Sequence, residues 1–196
     1  MSTKVFESMS IFSNNINALV YDSIQECLDA ARICIDTPKK EKVEICLGIP
    51  ALILLCCAID SIGSFYQKSY FEYLLSKFKG VTPGCHFRHF YDAFSDVLKE
   101  HISREDFCNG HKSILIAYRN RCVHNTGLYD NCIIKKGSGS DLYCKDEQGL
   151  TILNIELLYE IISDCFERLK REHPLPDVSS TESPSFTGNT SSNLNS

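Results

Sequence analysis

Apolar residues recur at helical spacing along most of the chain. Ile16, Leu19, Val20, Ile24, Cys27, Leu28, Ala31 and Ile35 fall three or four apart. That spacing predicts an amphipathic helix to about Ile35, capped by Asn15. Thr37-Pro38 ends it, because proline cannot continue the hydrogen-bond ladder, and Lys39-Lys40-Glu41-Lys42 reads as a solvated turn or the first turn of a helix. Ile49-Pro50 is a kink or a new helix start. The stretch "ALILLCCAIDSIGSFY" (51–66) is apolar almost all round and carries one acid, Asp60. Such a helix belongs at the centre of a bundle.

"SYFEYLLSKFK" (69–79) predicts a further amphipathic helix, and Gly80, Pro83 and Gly84 mark a loop. In "HFRHFYDAFSDVLKEHI" (86–102) Phe87, Phe90, Phe94 and Leu98 form one stripe. Ser103 with Asp106 predicts a capping box for the next helix, which is expected to run past Gly110 through Ile114, Leu115 and Tyr118. The period then changes. Residues 131–153 contain short β-prone pieces around Gly137-Ser138-Gly139-Ser140 and Gly149, expected to form a small β-hairpin. Asn154 caps a last helix to about Arg171, with Leu157, Leu158, Ile161, Ile162, Cys165 and Leu169 apolar and a basic final turn. The expected organisation is a flexible N-terminus (1–14), an all-α helical domain (15–173) with the hairpin inserted before its last helix, and a disordered Ser/Thr/Asn/Pro-rich tail (174–196).

Composition narrows the function. The 196-residue chain has a net charge of −5, which argues against non-specific coating of nucleic acid but leaves room for a local basic site. Eleven cysteines are scattered without a C-x-x-C pair, several on apolar helical faces (Cys27, Cys34, Cys56, Cys57, Cys122, Cys165). They read as thiols of a reducing compartment. The first residues lack the apolar core of a secretory signal. The apolar run Ile45–Ile59 is shorter than the ~20 residues of a membrane span. The expectation is a soluble cytoplasmic protein without a membrane partner.

The candidate chemistry lies in "AYRNRCVHN" (117–125). At ~100° per residue, Leu115, Tyr118 and Cys122 share a core face with Arg119 at its edge. Asn120 and His124, four apart, lie together on another face near Ile116, Ala117 and Val123. A polar cluster set in a second apolar face predicts a surface covered by another subunit or a mobile element. Histidine moves protons near neutral pH, arginine stabilises charge on a phosphate, and an amide orients either group. Together they suit metal-free attack of an RNA 2′-hydroxyl on the adjacent phosphate. The plainer reading is a histidine at a helix C-terminus, where a cation is favoured.

Arg119-Asn120-Arg121-Cys122-Val123-His124 resembles the R-x4–6-H motif of the HEPN superfamily, in which a polar residue often follows the arginine. The helical order, the insert and the acid in the central helix fit the same family, and the likeness covers about residues 15–171. The resemblance implies an all-α dimeric bundle, with both motifs facing a shared cleft. It also implies a metal-independent endoribonuclease of prokaryotic defence or toxin–antitoxin systems that leaves a 2′,3′-cyclic phosphate. Carried over, Arg119 and His124 are the catalytic pair, Asn120 the supporting polar residue, and Asp60 the group that orients Arg119. No metal or cofactor is implied. The implied partners are RNA, a second copy through the face of Ile116, Val123 and His124, and an antitoxin or another defence-system protein. The alternative is a non-catalytic RNA- or nucleotide-binding or interaction subunit of a larger complex. In the subgroup paired with nucleotidyltransferase antitoxins a tyrosine follows the histidine by two positions; here Thr126 stands there, so that partner is not carried over.

Other candidates read as structural. Arg121, with Arg88, Lys112, Lys135 and Lys136, offers a positive rim for substrate, though an ordinary solvated surface explains most of these. Cys85, His86 and His89 lack a fourth ligand for zinc, and the two histidines read as partly exposed structural residues. Gly137-Ser138-Gly139-Ser140 lacks the lysine of a phosphate loop and reads as a hairpin turn.

Overall fold

The computed structural model describes residues 3–39, 42–66, 85–108, 113, 115–117, 119–120, 132–137 and 139–175. Most of these residues are helical, and a small three-stranded sheet accompanies them. The 69–79 segment, the tail beyond 175, Tyr118, Arg121, Val123 and His124 lie outside the described residues.

Helix α1 spans Thr3–Asp36, so it starts ahead of the expected cap at Asn15. The reason is legible: Val5, Met9, Phe12 and Ile16 continue the three- and four-residue rhythm, and no proline or glycine interrupts it. Past Thr37 the chain forms an antiparallel ribbon, β1 (Pro38–Lys39) with β2 (Lys42–Cys46), where a solvated turn was expected. Helix α2 (Gly48–Phe65) follows. Pro50 sits in its first turn, where its missing N–H interrupts no ladder bond.

Helix α2 is the central element. Ala51, Leu52, Leu55, Ala58, Ile59 and Ile62 are fully buried, against α1 on one side and α3 (Cys85–Ala93) on another. By length and composition α2 could cross a membrane, yet half of it is buried within this chain. Its N-terminus packs on the sheet, where Gly48 leaves room for Ile134.

The expected phenylalanine stripe forms, with Phe87, Phe90, Phe94 and Leu98 all buried. Phe90 stacks on Phe107 with ring centroids 5.8 Å apart. Burying each such ring contributes roughly 1.5–3 kcal/mol. The helix itself is not continuous. Phe94 leaves the helical region (φ −117°, ψ 26°), and a short α4 (Ser95–Leu98) restarts beyond it. Arg168 clamps α4 from the last helix, with Nη1 2.8 Å from Asp96 and the guanidinium over the Phe94 ring.

The capping box forms at α5 (Arg104–Cys108): Ser103 Oγ accepts from the Asp106 N–H at 3.1 Å and donates to the Asp106 carboxylate. A single helix through Gly110 does not follow. Ser113 is non-helical and buried, and its Oγ accepts from the Ile116 N–H at 3.2 Å while donating to the Phe107 carbonyl. It therefore caps a fresh helical stretch, described at 115–117 and 119–120.

The insert is more than a hairpin. Strands β3 (Cys132–Lys135), β4 (Tyr143–Lys145) and β5 (Thr151–Asn154) form a sheet of order β3-β5-β4. Strands β4 and β5 pair antiparallel, and β3 joins β5 in parallel. The turn lies at Asp146–Gly149, not at Gly137–Ser140. Asp146 Oδ1 accepts from the N–H groups of Gln148 and Leu150, and Gly149 takes φ +79°. The Gly137–Ser140 region leads away from β3 instead, and His101 Nδ1 lies 2.9 Å from the Ser140 carbonyl. Helix α6 (Ile155–Glu172) starts as expected, with Asn154 Oδ1 accepting from the Leu157 N–H at 3.2 Å.

Candidate active site

Asp60 lies on α2, about a turn and a half from its C-terminal end, at the edge of that helix's buried face. Its side chain keeps 29% of its accessibility, so the carboxylate is half-buried. Arg119 approaches from the helical stretch that Ser113 caps. Its Nη2 donates to Asp60 Oδ2 at 3.2 Å, and its Nη1 to Asn120 Oδ1 at 3.4 Å. Residues 59 positions apart in sequence thus share one hydrogen-bonded cluster. A guanidinium has five N–H donors. Among the described residues Asp60 and Asn120 take one each, and the side chain remains 37% exposed.

The electrostatics oppose one another. Burial pushes the Asp60 carboxyl above the usual aspartate value, and the positive charges of Arg119 and His86 pull it back down. His86 sits near the start of α3, half-exposed. It reaches this position because Gly63, one turn along α2 from Asp60, presents no side chain. A Cβ there would lie 2.1 Å from the His86 carbonyl oxygen. The sequence reading placed His86 among structural residues. Asp60 and Gly63 three apart on one helix hinted at a close approach to that face, but which helix approaches is a tertiary fact.

Of the expected site residues, Arg119, Asn120 and Asp60 come together; His124 and Arg121 lie outside the described residues. Ile116 corrects an expectation. It is 2% exposed and belongs to the core of this chain, so it does not present an apolar face to a second subunit. Helical spacing alone shows that Ile116 lies on an apolar face, not whether this chain or another covers that face. Lys136 of the expected rim is engaged elsewhere: its Nζ lies 2.9 Å from Asp36, which also holds Arg32. Those groups tie α1 to the start of α6, beside a cleft of about 680 Å³ that Lys135, Gly139, Ser140 and Cys144 also line.

Among the described residues no group of three or more His, Cys, Asp or Glu is placed to hold a metal. Burial pushes the Cys165 thiol up to about 12, so it remains protonated and unreactive. Comparison of the chain with protein-family models, curated proteins and solved structures gave no match.

Proposed function

We propose that this protein is a metal-independent endoribonuclease of the HEPN type, acting in prokaryotic defence or toxicity. The observation that carries the reading is the Asp60–Arg119–Asn120 cluster. The motif arginine is held at 3.2 Å by the acid of the central helix, and the following asparagine completes its support. The resemblance assigns these three positions those roles, and nothing in the packing of a plain bundle requires them to meet.

In this reading the RNA 2′-oxygen attacks the adjacent phosphorus and the P–O5′ bond breaks. The 2′-hydroxyl proton leaves, the departing 5′-oxygen gains one, and a 2′,3′-cyclic phosphate remains. Arg119 binds the non-bridging oxygens and stabilises the charge that develops there. Asp60 holds the guanidinium in orientation before substrate arrives, which lowers the ordering cost of binding. Asn120 braces it from the other side. His124 moves a proton in the reaction, and Arg121 contributes to holding the RNA. A homodimer bringing two motifs to one cleft belongs to the same reading, with Val123 and His124 but not Ile116 at its interface.

The test is incubation of purified protein with labelled RNA in EDTA, beside Arg119→Ala and His124→Ala, with analysis of the product ends. Cleavage by the wild type alone, leaving cyclic phosphate, is the expected result. Equal cleavage by either variant overturns the assignment. RNA bound but left whole by the wild type establishes the alternative, a non-catalytic RNA-binding subunit.

A further inference from the structure

The three-stranded sheet buries Ile134 and Leu153 on one face. Its other face carries Lys135, Cys144, Ile152 and Asn154, because residues two apart along a strand and opposite one another across strands share a side. All four line the cleft of about 680 Å³ beside the start of α6. The chain at Gly139, Ser140 and Asp141 lines it too, and is held in place. Asn154 Nδ2 donates to the Gly139 carbonyl at 3.2 Å while its Oδ1 caps α6, and His101 Nδ1 lies 2.9 Å from the Ser140 carbonyl. The cleft is thus preformed and of a size that takes a small organic molecule.

Its charges are of two kinds. Lys136 and Glu156 are engaged within the protein: Lys136 Nζ lies 2.9 Å from Asp36 and 3.7 Å from Glu156, and Arg32 reaches both carboxylates. Lys135 and Asp141 differ. Among the described residues neither side chain has an ion-pair or hydrogen-bond partner, and no ion pair joins one to the other. One cation and one anion therefore stand unneutralised around the same cleft. Ile152, half-buried, and Cys144, exposed, give it an apolar floor. A simple anion drawn to Lys135 is repelled by Asp141, and a simple cation meets the reverse. A ligand with both charges and an apolar body satisfies all three features.

We propose that this cleft binds a short zwitterionic peptide, a di- or tripeptide with an apolar side chain. Its carboxylate pairs with Lys135, its ammonium with Asp141, and its side chain covers Ile152 and Cys144. An extended peptide of that length carries its terminal charges roughly 7–11 Å apart. The site is separate from the Asp60 cluster. Ile134, next to Lys135, packs on Gly48 at the start of α2, and Asp60 lies about 18 Å farther along that helix. The proposal goes beyond the nuclease reading and does not depend on it.

Isothermal titration calorimetry on the full chain tests it, after circular dichroism has shown each variant to be folded. Leucyl-leucine is expected to bind. Glycyl-glycine, with the same charges and no side chain, should bind about tenfold more weakly. Lys135→Gln and Asp141→Asn should each weaken leucyl-leucine about fivefold, the scale of one ion pair at a partly exposed site. Two capped ligands assign the ends. Leucyl-leucine amide lacks the carboxylate, so Lys135→Gln should leave its affinity unchanged. Acetyl-leucyl-leucine lacks the ammonium, so Asp141→Asn should leave its affinity unchanged. No binding of leucyl-leucine by the wild type up to about 10 mM, or equal affinity in wild type and both variants, overturns the proposal. A loss in Lys135→Gln alone makes the ligand a simple anion and overturns it as well. RNA cleavage in EDTA is read separately, so failure of either reading leaves the other standing.

Discussion

Gly63 and the carbonyl of His86 are in such close approach that a Cβ at position 63 would stand 2.1 Å from that oxygen. No side chain larger than hydrogen fits unless α2 and α3 separate. The contact therefore sets the packing of the two helices at this turn.

Gly63→Ala should destabilise the protein by about 1–3 kcal/mol, the usual cost of overpacking, even though alanine is the better helix former. Chemical denaturation measures it. A neutral or stabilising effect would show that α3 does not rest on α2 at this turn.

Asp60 makes stability depend on pH in a stated direction. Burial raises its folded-state pKa above the unfolded value. Its contribution is therefore fully present below the ordinary aspartate range and is lost as pH rises through the raised folded value. Asp60→Asn lacks this loss and keeps an oxygen that can accept from Arg119. The stability of Asp60→Asn relative to the wild type should rise between about pH 3.5 and pH 7. Denaturation midpoints at the two values provide the check, and a stability of Asp60→Asn that falls relative to the wild type as pH rises would contradict the burial of this carboxyl.

Ser113 links the core to the motif helix. Its Oγ caps Ile116 and donates to the Phe107 carbonyl, and the residue is fully buried. Ser113→Ala removes a cap and leaves a buried acceptor without this donor, a combined loss of about 2 kcal/mol. Because the cap sets the start of the helix that carries Arg119, the RNA cleavage proposed for the Arg119 cluster should fall at temperatures where the variant is still folded. A thermal melt run beside the RNA assay separates the two effects, and a melt unchanged from wild type would refute the cap.

Local chemistry is what a sequence displays well. The stripe Phe87, Phe90, Phe94 and Leu98, the Asn154 cap, the Ser103–Asp106 box and the apolar α2 all follow from spacing within one element. The pairing of Asp60 with Arg119 was legible for a different reason, through the family whose motif Arg119-Asn120 resembles.

Tertiary packing decided the remainder. Strand β3 pairs in parallel with β5, its neighbour in the sheet though β4 separates them in sequence, and short β-prone pieces carry no mark of their partner, so the segment reads as a hairpin on its own. Ile116 reads as part of a second apolar face open to another subunit, and in the fold the core of this chain covers it. His86 reads as a structural histidine until the flat backbone at Gly63 brings α3 against the Asp60 face. The periodicity of side chains specifies which face of an element is buried. Which other element covers that face depends on how the whole set of apolar surfaces fits together, and that fit, not any local signal, brings Asp60 and Arg119 together.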